Sequence, residues 1–159
     1  MDHFDPALIS VVMACYNAKP YVHEAIQSVL QQTYAAVELI VINDGSTDGS
    51  TDIIEALAQA HPERIRLLYQ NRAGPYAARN QGLALAQGNY VAFLDADDYW
   101  HPNALLALHA ALTESPADLA YCGWQHVGSA PENAMLSAPL AFDDQPSVAF
   151  MLTAQRQYW

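Results

Sequence analysis

The stretch Val37-Glu38-Leu39-Ile40-Val41-Ile42-Asn43-Asp44-Gly45-Ser46-Thr47-Asp48 decides the fold. Residues 37–42 are a short, mostly β-branched apolar run, which predicts a strand buried on both faces. A dense run of turn formers follows at once, and a helical pattern resumes over 52–60, with Ile53, Leu57 and Ala60 on one stripe. A buried strand, a polar turn and an amphipathic helix make one half of a β-α-β unit.

The same grammar repeats on both sides. Residues 8–14 (LISVVMA) predict another strand buried on both faces, and Val22, Ile26, Val29 and Leu30 set a helix over 20–32. Residues 65–69 and 90–94 read as strands. Between them Gly74-Pro75 opens a helix, and Gly88 is read as closing it. His101-Pro102 starts a further helix that Ser115-Pro116 stops, and 119–124 reads as a fifth strand. This alternation predicts an α/β fold with a mostly parallel central sheet. After Trp124 the composition shifts. Residues 128–139 read as a loop, and Val148, Met151, Leu152 and Gln155 return to helical spacing. Tyr158-Trp159 leave two aromatics at a chain end, which suggests a truncated chain.

Composition narrows the function. The chain has 159 residues, 52% of them hydrophobic and 14% charged, enough to bury a core. Its net charge is -11 and Lys19 is its single lysine. Such a chain repels phosphate backbones and anionic lipid, so nucleic acid and membrane surfaces are not expected partners. An anionic ligand must then be held by a few arginines, by backbone amides or through a metal. Cys15 and Cys122 read as buried, reduced thiols rather than a disulfide framework. No signal peptide and no apolar run of about 20 residues is visible. The expected compartment is the cytoplasm, with membrane association only through segments or partners outside this sequence.

Three polar clusters fall at predicted carboxyl ends of strands, where open α/β sheets bind ligands. They are Cys15-Tyr16-Asn17, residues 43–48, and Asp95-Ala96-Asp97-Asp98. Three carboxylates in four positions repel unless a cation sits among them, and Mg²⁺ or Mn²⁺ prefers oxygen ligands. The bland alternative is a solvated acidic loop capping the next helix. Asp44 is expected to project from the sheet edge and accept hydrogen bonds from a base or sugar. A second reading of the same stretch is a calcium loop formed by Asp44, Ser46, Asp48, Gly49 and Glu55, but such a loop needs a helix where 37–42 predicts a strand. Arg79, one of five arginines, offers a fork of donors suited to phosphate, or else pairs with a carboxylate. Tyr16, Tyr76 and Tyr90 read as core or rim aromatics, and His101 as a residue of the helix start. The sequence contains no GxGxxG, GxxxxGK[ST] or GxSxG.

In this order, residues 9–17, 28–34 (SVLQQTY), 38–48, 74–88 and 90–98 resemble the nucleotide-sugar-binding half of a family 2 glycosyltransferase with the GT-A fold, a three-layer α/β sandwich. The resemblance covers roughly 8–124. It implies a donor-binding core over 1–124 and the incomplete start of an acceptor-side region over 125–159. The implied reaction is inverting transfer of a sugar from a nucleoside-diphosphate sugar, UDP-linked by preference, to a hydroxyl on a glycan, lipid-linked or other acceptor. The resemblance places Ala14, Tyr16, Asn17, Asp44, Arg79, Asp95, Ala96 and Asp97 at the nucleotide sugar. It places Asp97 and Asp98 at a Mn²⁺ or Mg²⁺ ion that neutralises the leaving diphosphate. Two departures stand out: Asn43 replaces a more usual Asp, and Ala14 stands where many members carry Thr. The resemblance implies a general base in the acceptor half, an Asp often preceded by Glu; no Glu-Asp pair follows Trp124, Asp143 and Asp144 read as loop, and the base is expected beyond Trp159. A sugar-nucleotide-binding module without turnover, and a nucleotidyltransferase of related fold, are the alternative readings.

Overall fold

A computed structural model of the chain describes residues 7–123 and 152–154. The elements run β1 (Ile9–Cys15), α1 (Val22–Leu30), β2 (Val37–Asn43), α2 (Ser50–Ala60), β3 (Ile65–Tyr69), α3 (Pro75–Leu85), β4 (Tyr90–Phe93), α4 (Ala104–Thr113), β5 (Leu119–Ala120) and β6 (Leu152–Ala154). One sheet holds all six strands in the order β3-β2-β1-β4-β6-β5. The first four are mutually parallel, with Val11 opposite both Leu39 and Ala92, and Leu39 opposite Ile65.

Strand alternation sorts the core into two layers. Ile9, Val11 and Met13 of β1, with Leu39 and Val41 of β2, pack against α1, α2 and α4 through Ile26, Val29, Ile54, Leu105 and Leu108. Val12, Ile40 and Ile42 face the other way and pack against α3 through Ala78. Helices on both faces explain why these strands read as continuous apolar runs. Each fully buried Ile or Leu contributes roughly 1.5–3 kcal/mol of transfer free energy. A slip of β1 or β2 by one residue would swap the two layers, so the carboxyl ends of these strands are fixed in register.

Two sequence expectations are corrected here. Gly88 does not close α3, which ends at Leu85 with Ala86 as its cap. The glycine instead lets the chain re-enter the sheet beside β1, where an added Cβ would lie 2.6 Å from the Leu8 carbonyl oxygen and 2.8 Å from Ser10 Oγ. The helical spacing through Leu152 also fails, since Leu152–Ala154 is a strand antiparallel to β4. Pairing covers an edge of β4 that would otherwise expose a row of backbone donors and acceptors, and that tertiary gain overrides local periodicity. Val148, Met151 and Gln155 lie outside the described residues, as do residues 128–139 and the Asp143-Asp144 pair. Of the strand expected over 119–124, Leu119–Ala120 is regular among the described residues, and Trp124 lies outside them.

Candidate functional site

The carboxyl ends of β1, β2, β3 and β4 open onto one side of the sheet, and the loops that leave them are tied to one another. After β1, Asn17 turns the chain with a left-handed φ of 49°. Its Oδ1 accepts the Thr47 N–H at 2.8 Å, and its own N–H donates to Ser46 Oγ at 3.1 Å. The Ala18 N–H donates to Ser50 Oγ at 3.0 Å and the Lys19 N–H to Asp48 Oδ2 at 2.9 Å. Residues 46–50 therefore act as a bracket for residues 17–19. Asn43 holds the same turn from below, accepting the Ser46 N–H at 3.0 Å and donating to Thr51 Oγ1 at 2.8 Å. The amide suits this position because it needs a donor and an acceptor together.

Asp48 is held down to about 2, chiefly by the Ser50 hydroxyl and, against some desolvation, by the N–H groups of Lys19 and Ser50. Glu55 accepts the Tyr69 hydroxyl at 2.5 Å. The oxygens of the calcium-loop reading thus serve separate local partners.

Asp44 borders the cleft between these loops but projects little into it. It is 3% exposed. Its Oδ1 accepts Gln70 Nε2 at 2.6 Å and the Ala73 N–H at 2.7 Å, and its Oδ2 accepts the Gly74 N–H at 2.9 Å. Burial alone pushes this carboxyl up. The Gln70 amide, the two backbone N–H groups and the Arg72 charge outweigh it, and Asp44 stays below the usual carboxylate range. It fixes the loop between β3 and α3, and one lone pair of Oδ2 is left for a further donor.

Beyond β4, Asp95, Asp97 and Asp98 are exposed, and one oxygen from each lies within 4.8 Å of the others. Partial desolvation, then the charges of Asp97 and Asp95, push the Asp98 carboxyl up. Arg79 of α3 donates through Nη2 to Asp95 Oδ1. It reaches there because α3 packs closely on the sheet: an added Cβ at Gly82 would overlap Val12 Cγ1.

A cleft of about 370 Å³ lies between these loops, lined by Ala14, Tyr16, Asn17, Asp44, Arg79, Asp95, Ala96 and Asp97 among others. Asp98 opens instead onto a neighbouring hollow that Asp97 shares. The eight residues expected at one ligand thus do line one cleft. Two further residues were not singled out from the sequence. Arg72 donates to the Tyr16 hydroxyl at 2.6 Å, with its guanidinium carbon 4.1 Å from the ring centroid, and closes one side of the cleft. Gln70 holds Asp44. Both follow β3, and the carboxyl end of that strand was the signal available to find them. Tyr76 is 80% exposed, whereas Tyr90 packs edge-on against His109 at 5.2 Å. His101 Nδ1 accepts the Asn103 N–H at 3.3 Å, in keeping with a helix-start role.

The sequence pattern described as "Glycosyl transferase family 2" matches residues 10–154. The chain belongs to this glycosyltransferase family. A relative in Escherichia coli K12, named as the uncharacterized glycosyltransferase YibD, is 42% identical over 114 residues, which are 72% of this chain and 33% of YibD. S. aureus TarS in complex with UDP superposes with a TM-score of 0.69 at 27% identity, over 78% of this chain and 37% of TarS. The mannosyltransferase PcManGT from Pyrobaculum calidifontis, in complex with GDP-Man and Mn²⁺, gives 0.67 at 26% identity, over 77% of this chain and 37% of its own. The fold is that of the GT-A glycosyltransferases. The chain spans about a third of the length of the first curated relatives it matches. Among the described residues no helix is long and apolar enough to cross a membrane.

Proposed function

We propose that this family 2 chain binds a nucleoside-diphosphate sugar in the cleft and serves its inverting transfer to an acceptor hydroxyl, with help from a divalent cation. The observation that carries the reading is the juxtaposition, in one cleft, of the satisfied carboxylate Asp44, the cation Arg79 and the carboxylates of the acidic loop. Asp44, with Ala14, Tyr16 and Asn17, is assigned to the nucleoside. Oδ2 of Asp44 keeps capacity for an N–H donor of the base, and Arg79 is assigned to the phosphates. Asp95 and Ala96 are assigned to the ribose or donor sugar.

Asp95 and Asp97 line the cleft and Asp98 lies beside it in the neighbouring hollow; Arg79 already pairs with Asp95, so a diphosphate brought against Asp97 and Asp98 calls for a further cation. Oxygen-only donors suit Mn²⁺ or Mg²⁺, and Asp97 with Asp98 would hold it. When bound, the ion neutralises charge on the leaving diphosphate. Uridine is the favoured base, with TarS bound to UDP as support; PcManGT bound to GDP-Man makes guanosine the first control. Residues 1–124 are proposed as the donor-binding core and 125–159 as the beginning of the acceptor side, with Leu152–Ala154 returning to the shared sheet. The acceptor is a hydroxyl of a glycan or lipid-linked carrier. The cytoplasm, at or near the membrane face, is the proposed compartment; both cysteines are free, which suits a reducing one.

Calorimetric titration of UDP and of GDP in the presence of Mn²⁺ tests the reading. It expects UDP to bind more tightly than GDP. Binding of neither by the folded chain overturns it.

A further inference from the structure

The segment that leaves the acidic loop is held by side chains of another helix. Asn103 precedes α4 but makes no capping bond to its first turn; its Oδ1 accepts Thr33 Oγ1 at 2.9 Å. The missing acceptor comes from the residues just past α1. Gln32 Oε1 accepts the Leu105 N–H at 3.0 Å, one of the orphan donors of the α4 N-terminus. Gln32 Nε2 donates to the carbonyls of His101 and Ser28, each at 2.9 Å. Ser28 Oγ accepts the Trp100 N–H at 3.1 Å, and the Thr33 N–H donates to the Pro102 carbonyl at 2.9 Å. Gln32 is 7% exposed, so its bonds are sheltered from water. A primary amide supplies donors and an acceptor on one short stem, whereas a carboxylate there would face the His101 carbonyl with no donor.

The acidic loop is thereby stretched between two anchors. Upstream, the Leu94 N–H donates to the Val12 carbonyl at 3.2 Å; within the loop, the Asp98 N–H donates to the Asp95 carbonyl at 3.1 Å. Downstream, the anchor on Ser28 and Gln32 begins at Trp100, two residues after Asp98.

We infer that Gln32, supported by Ser28 and Thr33, is a positioning residue that sets the spacing of the Asp95, Asp97 and Asp98 carboxylates and, through it, the affinity of the site for a divalent cation. The inference rests on the proposed role of those carboxylates as cation ligands. Losing a group bonded directly to a metal ligand changes metal affinity by about 10–100-fold; Gln32 acts one step further out, on the backbone of residues 101 and 105, so the lower end of that range is expected.

The test uses Gln32→Met, which keeps length and removes both polar functions, and Thr33→Val, at an exposed position where folding is not at stake. Ser10→Ala is the control. It breaks a buried network at the opposite end of the sheet, where Ser10 Oγ bonds Glu38 at 2.5 Å and the Gly88 N–H at 2.8 Å. Amide hydrogen exchange over 95–105 and Mn²⁺ titration with UDP present are measured on each. Gln32→Met is expected to speed exchange in 95–105 and to raise the Mn²⁺ dissociation constant about tenfold. Thr33→Val should do the same to a smaller degree, and Ser10→Ala should lower the melting temperature with Mn²⁺ affinity unchanged. Unaltered exchange over 95–105 in Gln32→Met, or in Thr33→Val if the first variant does not fold, overturns the anchor. Faster exchange with unchanged Mn²⁺ affinity overturns the link to the cation. A wild-type chain that takes up no Mn²⁺ overturns the reading of the site itself while leaving the exchange result to judge the anchor.

Discussion

Asp44 and Gly74 are 30 residues apart in sequence, and the carboxylate of the first accepts the backbone N–H of the second at 2.9 Å. That bond joins the end of β2 to the residue that opens α3, the helix carrying Arg79. The end of the cleft proposed for the nucleotide is therefore tied to the helix that carries Arg79 through one buried carboxylate.

Asp44→Asn tests this coupling. An amide keeps the volume but presents an NH₂ toward donors that now meet a carboxylate. With three donors involved, we expect a loss of about 3 kcal/mol in unfolding free energy, read by urea denaturation, and a loss of UDP binding in the same variant. Unchanged stability would show that the loop between β3 and α3 is held by other means.

The depressed carboxyls predict an acid limit to stability. Asp48 is held at about 2 by the Ser50 hydroxyl first, with the backbone N–H groups of Lys19 and Ser50, against an unfolded value of roughly 3.9. A folded value below the unfolded one means that the contribution is complete above roughly pH 4–5 and is lost as pH falls through the folded value. Asp44 shifts the same way. The melting temperature should fall between about pH 4 and pH 2, and Asp48→Asn should shrink that fall. An equally steep fall in Asp48→Asn would sink this assignment.

Arg79 separates stability from binding. Its pair with Asp95 is part-exposed, at 29% and 51% for the two side chains, and such pairs are worth about 0–1 kcal/mol. Arg79→Met should leave the melting temperature within a few degrees of wild type and weaken UDP binding about tenfold, or ~1.4 kcal/mol. A large drop in melting temperature with intact UDP affinity would make Arg79 a structural residue.

The sequence exposes the parts of this design that are local. Residues 37–42 read as a doubly buried strand because they are apolar and mostly β-branched apart from Glu38, and the structure buries the whole of Val37–Asn43. That Asp44 and Asp95 fall at one end of the sheet is legible because each follows a predicted strand, and Arg79 stands out as one of few arginines on the helix that Gly74-Pro75 opens. What the sequence conceals depends on distant partners. Nothing near Asp44 announces that Gln70, Ala73 and Gly74 will occupy its oxygens. Gly88 looks like a helix terminator until the Leu8 carbonyl is placed beside it. Leu152 belongs to a helical spacing with Val148, Met151 and Gln155, but β4 gives Leu152–Ala154 a strand to pair with. Gln32 carries no chemistry of its own that would single it out, and its importance comes from the backbone of residues 101–105.

The most direct test of the account is calorimetric titration of UDP into the chain with Mn²⁺ and then with EDTA, on wild type and on Asp97→Ala. The account predicts binding to wild type with Mn²⁺, and at least a tenfold loss, or ~1.4 kcal/mol, on adding EDTA or replacing Asp97. Binding of equal strength in EDTA, or in Asp97→Ala with Mn²⁺, would contradict it.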